Sequence, residues 1–546
     1  MNFTPILLWS DLLLFLLIAV CGLYAWMASK HAHLRAPWIR VRRNAAGLAS
    51  ATVLIPFALI GVLDSLHYRP LLESKAGTAT ARYSVEVKSA LDAVLGAALG
   101  NMIGKSEKTY SDPLATHAFS KETIDVPGSG GAKQVREYPR LANGGAHLKD
   151  PAAEWARDVA IHAARGLVLG AVVWLGLAFV LLALVQPGAA ASLAGGSPED
   201  LPDGLPEGLP EDLPQGLPQG LPYGLPDGLP AVPAAARATP GAAARRTNPL
   251  IDFWRAVWAG ETGTPWRAVL ITLLVICMLA GVAVTLGSRY HLLGTDKVGQ
   301  DVLYLSLKSI RTGLLIGTLT TLVMLPLGVL LGITAGYFRG WVDDVIQYIY
   351  TTLNSVPGVL LIAASVLMMQ VYIDTHPQLF QTAVERADFR LLALCFILGV
   401  TSWTGLCRLL RGETLKLREL EYVQAAQAFG VSRLRIIVRH LLPNVMHIVI
   451  ISAVMDFSGM VLTEAVLSYV GVGVDPTMTS FGSMINAARM EMSREPMVWW
   501  SLAAAFFFMF TLVLAANLFA DAVRDAFDPR LVVKRPRINL IKAAAK

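Results

Sequence analysis

The sequence predicts an all-α polytopic membrane protein, and three observations carry that expectation. Of 546 residues, 54% are hydrophobic and only 16% are charged, more apolar surface than a water-soluble fold of this length buries. Nine stretches are each long and apolar enough to cross a bilayer as a helix, an element that satisfies its own backbone hydrogen bonds within one segment. Lysine and arginine gather in alternate loops between those stretches, as they do on the cytoplasmic side of membrane proteins. The expected architecture is a C-terminal core of six spanning helices preceded by about three more.

In order, the spans are Ile6–Trp26, Ala46–Asp64, Leu167–Val185, Ala268–Leu286, Leu314–Ala335, Val345–Val371, Leu391–Leu410, Val445–Val466 and Val498–Ala520. No Lys or Arg precedes the first, and Asp11 interrupts it, so it reads as a retained anchor rather than a cleavable signal peptide. Lys30, Arg35, Arg40, Arg42 and Arg43 follow it and set the orientation, with Met1 outside and the first short loop inside. Counting crossings then puts Arg245, Arg246, Arg255 and Arg267 inside, with the loop from Arg408 to Arg439 and the tail holding Lys534, Arg535 and Arg537. Arg289, Lys297, Lys308 and Arg311 fall outside against the trend, partly offset by Asp296 and Asp301. Cys21, Cys277, Cys395 and Cys407 lack metal-ligand spacing and read as small buried hydrophobes; no metal site is expected.

Residues 1–66 thus hold two spans, and 67–166 form an extracytoplasmic loop or small domain. Within it, Tyr83–Ile103 suggests one amphipathic helix, while "VPGSGGAKQ" and "RLANGGAHL" read as turns; it carries no catalytic constellation. After the third span, 167–186, comes a cytoplasmic linker, 187–265, with Leu-Pro at every fourth residue over much of its length. Proline at that period forbids a helix and leaves an extended tether. Residues 266–531 pack six spans with short connections and form the functional core, followed by a basic tail, 532–546.

Inside the core, "EYVQAAQAFGVSRLRIIVRHLLPN", Glu421–Asn444, admits two readings. Leu434, Ile437, Val438 and Leu441 make one apolar stripe, Ser432 can cap a helix start, Gly430 suits a left-handed turn, and Pro443 marks a helix end. A helix-turn-helix has these features, which would make the chain a membrane-anchored DNA-binding regulator. Reading DNA, however, requires a third helix and open approach to the major groove, and here spanning segments press on both sides. A short helix pair of this kind is better suited to docking in a groove of a soluble partner. Ala425, Ala426 and Phe429 would be its small and apolar anchors and Gly430 its bend.

"EYVQAAQAFG" and "RHLLPN" occur together with "HLLGTDKVGQDVL", "GVLLGITAGYFRGWVDD", "LTEAVLSYVGVGV", "SFGSMI" and "ANLFADAVRDAFDPRL". Taken jointly, over His291–Leu531, they resemble the EAA loop and neighbouring motifs of ABC importer permeases, specifically the second permease type of the dipeptide/oligopeptide branch. The resemblance implies a bacterial inner-membrane subunit that encloses a translocation pathway with a second homologous permease subunit. Two cytoplasmic ABC ATPase subunits and a periplasmic solute-binding protein are its other implied partners, with lipid around the spans and no nucleic acid. A coupling role is implied for Glu421, Gln424, Ala425, Ala426, Phe429, Gly430 and Pro443, in a loop at about 411–444, and the outer-loop motif comprises Gly294, Thr295, Asp296, Gly299 and Asp301.

Dipeptides or oligopeptides are the implied solutes, with nickel or another small solute as the alternative. ATP would be used by the partners: the chain has no G-x-x-x-x-G-K-[ST] loop, so it is expected to bind no cofactor and to be no enzyme. Gln424 stands where the family commonly has Glu, Gln300 where it commonly has Arg, and the first three spans are additional. Asn354, Asp456 and Glu464 sit in otherwise apolar spans. An ionisable group there costs about 2.5–3.5 kcal/mol on insertion scales, so these three are pathway candidates facing the bundle or a water-filled route. Interhelical hydrogen bonding is the competing reading, as is solvation for Glu464 near its span's outer end. Pro326 and Pro357 mark kinks or interruptions.

Overall fold

The computed structural model describes residues 3–71, 83–84, 87–100, 104–128, 131–194, 254–255, 257–258, 264–380 and 382–527; the Leu-Pro repeat and the basic tail lie outside them. The chain divides into one unit of Met1–Trp174 with Thr262–Lys546 and a second of Leu175–Glu261, whose described residues are helical. Among the described residues nine helices are long and apolar enough to span a membrane, the number expected.

Several of these helices run beyond their apolar stretches, because polar caps outside the hydrocarbon start them. Asp301 accepts from Leu303 N at 2.8 Å and Tyr304 N at 3.3 Å, opening a helix at Val302 that continues to Phe338. Its 37 residues reach roughly 55 Å, well past a hydrocarbon layer of about 30 Å. Likewise, Pro151 opens the helix of the third span inside the stretch expected to be loop, with Ala152 N bonded to Asp150 Oδ1 at 3.1 Å.

The stretch Val345–Val371 is not one helix. Val356 is extended, and Pro357 separates Trp341–Ser355 from Gly358–Thr375. Pro326, by contrast, is accommodated inside Val302–Phe338 without ending it. Three cysteines are buried as expected, but Cys21 is exposed on the first span. Among the described residues of Tyr83–Ile103, the α-helix is Ala90–Ala98, begun by a reciprocal capping box between Ser89 and Asp92. The described residues of "VPGSGGAKQ" lie in two paired strands, Glu122–Gly128 and Gly131–Glu137. A second sheet pairs Phe3–Ile6 with His67–Pro70, and His67–Pro70 with Lys88–Ser89, tying the N-terminus to the extramembrane segment.

Val302–Phe338 is the central post. Its Leu315, Ile316 and Leu319 pack with Leu391, Leu394 and Leu398 of Ala383–Ser402. The added third span meets the core backbone to backbone: a Cβ at Gly170 would collide with Cys277 O, and one at Gly281 with Gly166 O. Small residues permit that approach, as in membrane helix pairs generally.

Candidate functional site

The coupling-loop and outer-loop candidates lie at opposite ends of Val302–Phe338. At one end, Glu421–Ala428 forms the first short helix, and Gly430 bends the chain at φ +72°. Gly430 N donates to Gln427 O at 3.0 Å and Val431 N to Ala426 O at 3.1 Å, closing the last turn in the manner of a glycine C-cap. Beneath the bend Val423, Ile436, Leu441 and Val445 are fully buried, packed with Tyr337, Leu406 and Leu410 of the core. Facing away are Glu421, Gln424 and Ala425, with Ala426 half-buried at the border and Phe429 88% exposed. Gln424 Nε2 donates to Glu419 O at 3.1 Å.

The second short helix departs from expectation. Leu434 and Val438 are exposed rather than buried, and the apolar seam runs through Ile436 and Leu441. Ile437–Leu441 is a π-helix, whose wider turn rotates the following residues relative to a 3.6-residue stripe. Pro443 does not end a helix: it lies in the first turn of Leu442–Val470, after that π turn, where its missing N–H costs little. Ser432 occupies the N-cap position without a side-chain bond. Arg433–Val470 is therefore one continuous helical path into the membrane, which leaves no detached recognition helix for DNA.

Arginines brace the bend. Arg411 binds Asp343 through both carboxylate oxygens, Arg418 Nη1 donates to Tyr337 O at 2.9 Å, and Arg339 pairs with Glu419 at 2.5 Å.

Asn354 does not sit in a span as expected but on the short helix Trp341–Ser355, where it is exposed and its Oδ1 accepts from Thr404 Oγ1 at 3.1 Å; Asp456, in a span, is half-buried. Glu464 is 1% exposed and accepts from Ser468 Oγ at 2.6 Å, so it sits in the packed interior rather than in solvent. Asp456 and Glu464 share Leu442–Val470, whereas Asn354 lies on Trp341–Ser355.

At the other end, the outer-loop motif is a knot. Gly294 and Gly299 have φ +72° and +76°, and a Cβ on Gly299 would collide with Glu107 O. Thr295 is fully buried, donating to Thr109 O at 3.0 Å while its carbonyl receives Trp500 Nε1 at 2.9 Å. Asp296 folds the loop by accepting from Val298 N and Gln300 N at 2.9 and 2.8 Å. Asp301 meets His291 Nδ1 at 2.8 Å, and His291 Nε2 lies 3.5 Å from Glu107 Oε1, an ion-pair distance rather than a hydrogen bond. Glu107 also accepts from the backbone N–H groups of Ala142, Asn143 and Gly144.

Burial opposes charge on His291, but Asp301 and Glu107 outweigh it and raise its pKa to about 9. On Glu107, too, burial acts against charge; His291 and three backbone donors overcome it and hold the carboxyl at about 2. Glu107 and His291 were missed as a pair in the sequence. His291 opens a motif, whereas Glu107 lies in a loop read as a spacer, and no periodicity connects them.

A multi-pass helical membrane protein with an exposed bent helix pair at one end and a knotted loop at the other has the features of a transporter's membrane component. The family described as "Binding-protein-dependent transport system inner membrane component" matches residues 328–533. The glutathione transport system permease protein GsiD of Pectobacterium atrosepticum is 35% identical over 246 residues, covering 45% of this chain and 74% of the relative. The oligopeptide transport system permease protein OppC of Mycobacterium tuberculosis is 33% identical over 44% of this chain and 76% of its own length. The dipeptide transport system permease protein DppC of Bacillus subtilis is 30% identical over 45% and 70%. The chain belongs to this family of ABC importer permeases and is a permease component that works with ATPase and binding-protein partners. A DNA-binding regulator is thereby excluded as its class.

Proposed function

We propose that this chain is the second-type permease subunit of a bacterial inner-membrane importer of dipeptides and oligopeptides, glutathione-like tripeptides among them. It pairs with a homologous permease, two cytoplasmic ATPases and a periplasmic solute-binding protein. The N-terminus and the segment 67–166 face the periplasm, and the Gly430 bend and the C-terminus face the cytoplasm. ATP is bound and hydrolysed by the partners; this chain performs no bond chemistry and holds no cofactor.

One observation carries the reading: Phe429 stands 88% exposed at a bend whose underside is sealed into the core by Val423 and Ile436. An exposed aromatic on a rigid mount is a helix-in-groove anchor, and Glu421, Gln424, Ala425, Ala426, Gly430 and Pro443 shape the same handle. ATPase closure would push it, and the continuous helix Arg433–Val470 would carry the push to the pathway as a rigid-body movement. Asn354 and Asp456, which reach the surface of the single chain, line that pathway, while Glu464 acts from within the packed helix.

The test is reconstitution in liposomes with candidate partners, following ATP-dependent uptake of a peptide panel. A cysteine at Phe429 should cross-link to the ATPase in inverted membrane vesicles. Uptake of nickel or sugars with no peptide would overturn the substrate, and cross-linking confined to periplasmic proteins would overturn the orientation.

A further inference from the structure

A cavity of about 370 Å³ lies where the added helices meet the core, lined by Asp64 and His67 from the added part and by Lys308, Arg311 and Asp388 from the core, with the exposed Ala383 on its rim. Residues from the apolar part of the lining, Leu8 and Met478 among them, would accommodate a short carbon skeleton.

The charges around it do not balance. Arg311 is taken by Asp11 at 2.6 Å and also donates to Ser65 Oγ at 3.1 Å. Lys308 Nζ sits 3.1 Å from Asp92, and His67 Nδ1 lies 2.8 Å from Asp11. Asp388 is bonded by the backbone N–H and hydroxyl of Ser10 rather than by a cation. Asp64 is the least satisfied: its side chain is 7% exposed, its Oδ1 has no hydrogen-bond partner among the described residues, and its one cation, Lys308 Nζ, lies 3.8 Å away, an ion-pair distance beyond hydrogen-bond reach and shared with Asp92. Among the described residues of this network, the carboxylates of Asp11, Asp64, Asp92 and Asp388 outnumber Lys308 and Arg311 by two, and a protonated His67 would offset one of them. Burying net charge beside an unmade hydrogen bond is strongly unfavourable without a counter-ion.

We propose that this cavity is a binding site for a small organic cation bearing a primary ammonium, with Asp64 as its principal acceptor and Asp388 supplying the second negative charge. An ammonium offers three donors, which suits an unpartnered carboxylate oxygen, and its charge cancels the excess. The ammonium could belong to a free amine or to the amino terminus of a short peptide. The site stands apart from the pathway residues and does not rest on peptide import.

The experiment is calorimetric titration of the full-length chain in lipid nanodiscs with glycinamide, glycylglycine and N-acetylglycine at pH 7. Glycinamide should bind, N-acetylglycine should not, and D64N should weaken glycinamide about tenfold, the loss expected for one charge-assisted hydrogen bond. Ala383→Trp, at the exposed rim, should abolish binding while leaving the ligand-free melting temperature unchanged, so the test survives any misfolding of D64N. Binding of glycylglycine as well would assign the site to peptide amino termini; binding of glycinamide alone would assign it to free amines. Absence of glycinamide binding, equal binding of N-acetylglycine, or undiminished binding in A383W would overturn the proposal.

Discussion

Arg411 grips Asp343 in a two-pronged pair, Nε to Oδ1 at 2.5 Å and Nη2 to Oδ2 at 2.7 Å. Asp343 lies in the first turn of Trp341–Ser355 and Arg411 in Thr404–Arg418, the helix that leads into the Gly430 bend. The fork therefore fixes the base of the coupling handle to the helix that carries Asn354. Arg411→Ala should destabilise the chain by about 2 kcal/mol, the scale of a hydrogen-bonded charge. Arg411→Lys, which keeps charge but loses the fork, should recover only part of it. Thermal melting in detergent checks both, and equal melting of all three proteins would refute a bracing role.

Gly430 holds φ +72°, where a Cβ is disfavoured by roughly 1–2 kcal/mol. Gly430→Ala should therefore cost about 1 kcal/mol and retain transport. Gly430→Pro also loses the N–H that donates to Gln427 O and forces φ to about −65°, so uptake should fall while ATP hydrolysis persists. Comparing solute moved per ATP hydrolysed reads the difference, and wild-type coupling in the proline variant would count against the lever.

The Glu107–His291–Asp301 knot should give stability a pH optimum. His291, raised from 6.5 to about 9, contributes fully below about pH 6.5, and its contribution is lost as pH rises through 9. Glu107, lowered from 4.5 to about 2, contributes above about pH 4.5 and loses that contribution as pH falls towards 2. Melting should be highest between roughly pH 4.5 and 6.5. His291→Gln should flatten the alkaline limb and, because Glu107 loses one of the groups that hold its carboxyl down, also weaken the acid limb; an unchanged alkaline limb would place the pH dependence elsewhere.

Where Gly281 meets the backbone at Gly166, no side chain fits. Gly281→Leu should separate the added third span from the core and lower stability by about 1–3 kcal/mol. Gly22→Leu, at a glycine with nothing within 4 Å, is the matched control and should be near neutral. Equal melting of the two variants would show that the contact contributes nothing.

The membrane class, the number of spans, the six-helix core and the left-handed bend at Gly430 were legible in the sequence. Each follows from a local property: apolar length, proline placement, or the conformational freedom of one glycine. Which face of the second short helix is buried was not legible, because a π turn at Ile437–Leu441 breaks the period from which a stripe is read. Nor could the sequence place Pro443, which is harmless only because that turn precedes it.

Local pattern alone therefore determined that this chain is a multi-pass membrane protein, the number of its spans, and that it carries a bent helix pair at Gly430, whereas the split of Val345–Val371 at Pro357 appeared only in the structure. Only the tertiary structure decided that Glu107 closes on His291, that Asp11 meets Arg311, and that Asp64 Oδ1 has no hydrogen-bond partner among the described residues. Those pairings join segments far apart in the chain. Burial and geometry select them from many possible charge partners, and neither is written in the spacing of residues along one strand of sequence.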